Sequence, residues 1–260
     1  SALSKPFFLI TNSWGVVAAT RWADRVGKGV RTAPRDALIA DSTPKNLHGL
    51  AFGVNRALDN GGAVLGIFIA AAVIHSTQHN NVELTRVTFN TVVWFSLVPA
   101  VLAVISLAAG TKDVPVTGQR AAPSISLRSM GGRFTALMVL VSLFTLGNSS
   151  DAFLVLRAQN LGVDVVGILL ILVLFNLMAA IVSGPAGALS DRIGRRKLIV
   201  AGWLIYAAIY FGFGLATQAW HIWVLYALYG VYYGLAFGNA TALVADMVPQ
   251  QLRGTAYGTY

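Results

Sequence analysis

The sequence predicts an all-α polytopic membrane protein, on three observations. Of its 260 residues, 56% are apolar and 11% charged, and the mean hydropathy is +0.67. A soluble domain of this length carries about a quarter charged residues, and a chain this apolar could not hide its surface from water. Long uncharged stretches, several of them longer than the ~20 residues that cross a bilayer, alternate with short basic clusters. None of these stretches shows strand-like alternation, and lipid tolerates only helices or closed barrels, so the spans read as helices. The net charge of +9 lies in the clusters, as it does in connections between spans, so no nucleic-acid partner is expected. The 260 residues contain no cysteine, which excludes disulfides, thiolate metal sites and cysteine nucleophiles among them.

Taken in order, Pro6 to Ile10 reads as the end of one helix, and Trp14 opens a second that becomes heavily charged from Arg21 onward. Between Asp59 and Glu83 lie 23 residues without Asp, Glu, Lys or Arg, and between Arg86 and Lys112 lie 25. Arg133 to Asp151 encloses 17 such residues and Asp164 to Asp191 encloses 26. Lys197 to Asp246 encloses 48, too many for one helix, and the polar turn Thr217-Gln218-Ala219-Trp220-His221 divides it in two. The expected architecture is a helical bundle of about six full transmembrane helices plus parts of two, truncated at both ends. No basic-then-apolar targeting peptide precedes the charged helix, and the chain is expected to be a fragment.

Orientation follows from the clusters. Residues 110–133 carry Lys112, Arg120, Arg128 and Arg133 against Asp113; residues 187–197 carry Arg192, Arg195, Arg196 and Lys197 against Asp191. The alternate connections, 76–85 and 217–221, hold no Lys or Arg. Positive connections face the cytoplasm, which places 41–49, 110–133, 187–197 and 246–254 inside and points to a cell (plasma or inner) membrane. The stretch 110–133, with its prolines, serines and threonines, is the natural linker between residues 1–109 and residues 134–260.

An internal repeat joins those halves. Ala40-Asp41-Ser42-Thr43-Pro44 and His48-Gly49-Leu50-Ala51-Phe52-Gly53 match Ala245-Asp246-Met247-Val248-Pro249 and Arg253-Gly254-Thr255-Ala256-Tyr257-Gly258, 205 residues on. The shared pattern is A-D-x-x-P-x-x-x-[HR]-G-x-A-[FY]-G. Two parallel halves of ~200 residues imply a parent of roughly 400.

Gly187-Ala188-Leu189-Ser190-Asp191-Arg192-Ile193-Gly194-Arg195-Arg196-Lys197 fills every defined position of G-x-L-[AS]-D-R-x-G-R-[KR]-[KR]. This resembles the signature connection of the major facilitator superfamily (MFS), here between the second and third helices of the second half. Arg21 with Gly27 resembles that family's R-x-x-x-x-x-G motif, whereas its antiporter motif G-x-x-x-G-P-x-x-G-G is not reproduced around Asp59-Asn60-Gly61-Gly62. The resemblance implies a two-domain MFS bundle, with 1–109 running from the end of the third helix to the sixth and 134–260 from the seventh to the start of the eleventh. It implies a gating role for Gly187, Asp191, Arg192, Gly194, Arg195 and Arg196, whose ion pairs would latch the cytoplasmic side.

At 100° per residue Arg21, Asp24, Arg25, Lys28, Arg31, Arg35 and Asp36 share one arc of ~140°. Ionisable groups at membrane depth are costly unless they line a wet cavity or pair. Arg21, Asp24, Arg25 and Lys28 are therefore candidate substrate-pathway residues, with Arg31, Arg35 and Asp36 either in the cavity or in the cytoplasm. The repeat maps Arg21 onto Tyr226 and Lys28 onto Tyr233, and Trp223, Tyr226, Tyr229, Tyr233 and Phe237 share an arc of their own. A basic stripe facing an aromatic one suits an amphipathic or anionic solute. Packing alone is the competing reading for the aromatics. Asp59, three residues from Arg56, and Asp151, three from Asn148 on the same expected helix, are candidate proton carriers, with a structural ion pair open for Asp59. Asn176 and Asn239 read equally as solute ligands or helix braces. His75, His79 and His221 lack metal-ligand spacing.

The expected function is secondary active transport of a small organic solute by alternating access, proton-coupled, with efflux favoured by the resemblance. Organic-anion uptake or facilitated uniport is the alternative. From other classes come a non-transporting receptor or scaffold and a membrane-embedded lipid enzyme, for which no catalytic cluster is present. No G-x-x-x-x-G-K-[ST] loop supports ATP drive. No cofactor or metal is called for; the expected partners are the solute, the bilayer and a proton, with the protein a monomer.

Overall fold

In the computed structural model, residues 5–10, 13–77, 85–110, 130–148 and 151–260 are described. Nine α-helices and three short 3-10 turns make up these residues, with no strand among them. The helices are α1 (Trp14–Ser42), α2 (His48–Thr77), α3 (Arg86–Gly110), α4 (Gly132–Leu146), α5 (Asp151–Asn160), α6 (Val165–Ile193), α7 (Arg195–Leu215), α8 (Ala219–Met247) and α9 (Arg253–Thr259). Lys5–Ile10, expected as the end of a helix, is a 3-10 turn.

Five segments are long and apolar enough to cross a membrane: Lys45–Ile74, Arg86–Gly110, Gly132–Asn160, Val166–Ile193 and Arg195–Leu215. The chain is an all-α polytopic membrane protein. Charge spacing predicts about six full spans; α8, 29 residues long with Asp246 near its end as its one Asp, Glu, Lys or Arg, has the length of a sixth, whereas the charges of α1 leave that helix far less apolar. Large apolar side chains stand exposed along the helices, among them Trp94, Val98 and Leu102 on α3 and Phe211 on α7. In lipid such a surface carries no penalty.

The chain forms two compact units. One comprises Ser1–Arg35 and Leu65–Pro115, the other Asp36–Val64 and Val116–Tyr260. In the first, the guanidinium of Arg86 donates to the Leu9 carbonyl, and Thr77 donates to the buried Thr88 hydroxyl, tying the end of α2 to the start of α3. In the second, α6, α7 and α8 pack around Ile171, Ile209, Phe213, Ile222 and Tyr232. Gly230 and Gly234 of α8 carry that contact, since a Cβ at either would run into Phe175, Met178 or Val182 of α6. Small residues at this spacing let membrane helices approach to backbone contact.

Two expectations change. Residues 187–197 do not form a loop: α6 continues through Ile193, and α7 begins at Arg195, leaving Gly194 alone as the joint with φ +98°. A left-handed backbone is cheap for glycine and strained for other residues, which explains a motif fixed at that position. Asn148 and Asp151 do not share a helix either. Gly147 closes α4, the Asn148 N–H turns back to the Thr145 carbonyl, and Asp151 opens α5. Residues 111–129, most of the expected linker, and His79 lie outside the described residues.

Candidate functional site

The motif residues meet the repeat residues at one end of the second unit. Asp191, near the last turn of α6, accepts the Gly49 and Leu50 backbone N–H groups, both at 2.9 Å. These are orphan donors at the N-terminus of α2, where the helix dipole also favours a carboxylate. Gly49 and Gly53 make that approach possible. A Cβ on Gly49 would strike Ser190 and the Gly187 carbonyl, and one on Gly187 would strike the Gly49 backbone. The pattern Gly49-x-x-x-Gly53 against Gly187 is a small-residue crossing, so the glycine that opens the motif acts through its missing side chain.

Arg195 binds the rest together. It is buried, and its Nη2 donates to Asp191 Oδ1 at 3.1 Å and to the Lys45 carbonyl at 3.1 Å. Its Nη1 donates to the Ala242 carbonyl at 2.7 Å and lies 2.7 Å from Asp246 Oδ2. One planar fork thereby holds α6, α8 and the turn before α2, which a single ammonium could not do. Arg192 and Arg196, also in the motif, are exposed. A cavity of about 390 Å³ beside the network is lined by Lys45, Asn46, Asp191, Arg195, Lys197 and Asp246, among others.

The two copies of the repeat exchange partners. Asp41 of the first copy pairs with Arg253 of the second, and Asp246 of the second faces His48 of the first, 3.1 Å from its Nδ1. The pattern A-D-x-x-P-x-x-x-[HR]-G therefore encodes a reciprocal cross-link: the aspartate of each copy reaches the basic residue of the other. Asp41, His48, Asp246 and Arg253 were legible as the charged positions of the repeat, but not as partners of one another.

The aromatic arc of α8 lies within the same unit. Tyr226 and Tyr229 are buried against Phe213, Tyr206 and Phe175, with ring centroids 5.3–6.4 Å apart. Tyr233 is half-buried and stacks on Phe237 at 3.8 Å, and Phe237 in turn carries the Arg56 guanidinium at 5.8 Å. The Tyr229 hydroxyl donates to Asp151 Oδ1 at 2.8 Å, so one pathway candidate and one proton candidate are in contact. Asn148, on the other side of the helix break, accepts from the Tyr206 hydroxyl at 2.6 Å. The amide nitrogens of Asn176 and Asn239 each bond a carbonyl of their own helix, and Asn239 Oδ1 is buried without a hydrogen-bond partner among the described residues. His221 accepts from the Thr217 and Gln218 N–H groups and caps α8.

The basic stripe lies on α1. Arg21, Arg25 and Arg31 are exposed, and Lys28 pairs with Asp24 at 3.2 Å one turn away. Asp36 is buried and Arg35 half-buried. Asp59 is exposed on α2.

The sequence profile of the Major Facilitator Superfamily matches residues 1–260, the whole chain. The chain belongs to the Major Facilitator Superfamily. An MFS-type transporter of Methanocaldococcus jannaschii, itself named as uncharacterized, is 31% identical over 266 aligned residues, covering 100% of this chain and 65% of the relative. Multidrug resistance proteins MdtG match a shorter stretch. The one from Salmonella choleraesuis is 37% identical and that from Proteus mirabilis 39%, each over 83 residues, 32% of this chain and 20% of the relative. The chain thus spans about two thirds of the length of the M. jannaschii relative. No solved structure matches it.

Proposed function

We propose that this MFS chain belongs to a secondary active transporter that moves a small organic solute by alternating access. The two halves are residues 1–109 and 134–260, and the network around Asp191 is a latch holding the cytoplasmic side closed. The observation that carries the reading is the position of Asp191, which bridges Arg195 to the N-terminus of α2 while the repeat copies cross-link each other. Such a set of ion pairs has two arrangements, made and broken, as a gate requires. The basic residues Lys45, Arg192, Arg196 and Lys197 at this end support its cytoplasmic placement in a cell membrane.

Coupling to protons is assigned to Asp151, which accepts a hydrogen bond from the Tyr229 hydroxyl in the core of the second unit, with Asp59 kept as the other candidate. The exposed cations Arg21 and Arg25, with the Asp24–Lys28 pair beside them, fit a pathway for an amphipathic or anionic solute. Export is favoured by the MdtG relatives, which are named for multidrug resistance. The test uses the full-length protein in proteoliposomes under an imposed pH gradient, with amphipathic anions and cations screened for flux. The reading expects gradient-dependent flux that Asp151→Asn abolishes. Flux indifferent to the gradient would reject proton coupling, and no flux for any solute would reject the transporter.

A further inference from the structure

The reciprocal cross-link is not symmetric in chemistry. Where the second copy of the repeat places Arg253, the first places His48, so one link is a permanent cation and the other a titratable ring. His48 is fully buried, and both of its ring nitrogens face acceptors. Nδ1 lies 3.1 Å from Asp246 Oδ1, and Nε2 lies 3.0 Å from the Ala40 carbonyl and 3.2 Å from that of Thr43. A neutral imidazole has one N–H and one lone pair. In either tautomer that lone pair would point at an oxygen, a carboxylate or two carbonyls, on a ring without exposure to water. Only the doubly protonated ring donates to every acceptor around it.

We infer that His48 is a proton-binding site of the closed latch: the cytoplasmic side closes with a proton on His48 and opens as that proton leaves. This rests on the reading of the network as the cytoplasmic gate. The charged groups around the ring fit a cation there. Asp246 faces it from α8, with Arg195 of α7 on that carboxylate's other oxygen. Asp191 of α6 lies beyond Arg195, and Asp41 of α1 is already taken by Arg253 of α9. Because the proton belongs to the closed form, acid on the cytoplasmic side stabilises closure, and the stabilisation is lost as the pH rises. The ring is buried while the Asp246 side chain is 34% exposed, so breaking the link requires α2 and α8 to part, and parting admits to the ring the water that takes the proton.

The experiment labels the full-length protein, with any cysteine outside these 260 residues replaced by serine, at Asn46 and Lys197, exposed residues that line the same cavity beside the latch. Pulsed electron spin resonance in nanodiscs then gives the closed and open distance populations at roughly pH 5.5 and pH 8.5. The expected result is a closed-to-open ratio at least about fivefold higher at the acid pH. His48→Arg, which restores the chemistry of the other link, should be closed at both pH values, and His48→Gln should lose the pH response and shift toward open. A pH response that survives in His48→Arg would overturn the proposal, since another group such as Asp246 would then be titrating. A wild type indifferent to pH overturns it as well. Asp191→Asn separates the two readings: if it opens the latch while pH does nothing, the gate stands and the proton site falls. If Asp191→Asn changes neither population, the gate reading itself fails and the proton site with it.

Discussion

Replacing Gly187 with alanine tests whether the close crossing of α2 and α6 holds the latch. The added Cβ would lie 2.8 Å from the Gly49 carbonyl carbon and nearer still to its oxygen, and neither atom can rotate away. Restoring ordinary contact at 3.4 Å moves the helices apart by at least roughly 0.6 Å. The two hydrogen bonds from Gly49 and Leu50 to Asp191 start at 2.9 Å, so the same displacement stretches them to about 3.5 Å, the edge of a real bond. Each is a bond to a charged group, worth about 1.5–3 kcal/mol. Because opening lets water reach the released groups, the lower end applies to each, giving a loss of about 3 kcal/mol. That is a shift of the closed-to-open ratio by roughly 150-fold. The Asn46–Lys197 labelled pair reads the populations directly. Gly184→Ala on the same helix is the control, since nothing lies within 4 Å of a Cβ there, and alanine is the better helix former. If Gly187→Ala gives the wild-type distance distribution, the crossing does not hold the latch and the reasoning from glycine to gate is wrong.

Other consequences are as specific. Arg195→Lys keeps a positive charge but cannot reach Asp191, Asp246 and two carbonyls from one plane; the latch should weaken by about 3 kcal/mol, read as an open distance population at any pH. Asp164 caps α6 by accepting the Gly167 N–H at 2.9 Å, so Asp164→Ala should lower stability by about 1 kcal/mol in a thermal melt, and Asp164→Asn should restore most of it. Tyr229→Phe preserves the ring packing and removes one hydrogen bond to Asp151; gradient-driven flux should fall by at least about tenfold, with protein level unchanged.

Much of the fold was legible because the bilayer imposes a simple rule, an uncharged run long enough to cross it. Polarity inside a run too long for one helix places a turn at 217–221; the structure puts it at 216–218, between α7 and α8, with Ala219, Trp220 and His221 already in the first turn of α8. The motif was legible as a pattern, but reading it as a connection missed that helix continues to Ile193 and that one glycine makes the turn. Hydropathy does not separate the end of a basic helix from a basic loop. The break at Gly147 was missed for the same reason, since a lone glycine inside an apolar run is tolerated in helices. The partner exchange between Asp41, Arg253, Asp246 and His48 could not be read from the repeat, because a repeat reports which positions are equivalent and not which of them touch. The charged residues within it were the available signal. The aromatic arc of α8 was visible at helical spacing, but spacing alone does not tell a buried face from an open one, and Tyr226 and Tyr229 turn out to be core.

The most direct test of the account locks the latch and asks whether transport stops. Cysteines at Asn46 and Arg196, two residues lining the same cavity, are joined by a short reducible cross-linker in the full-length protein reconstituted in proteoliposomes. The account predicts that solute flux ceases on cross-linking and returns on reduction. Flux that continues at the uncross-linked rate would contradict it, because a gate that need not open is no gate.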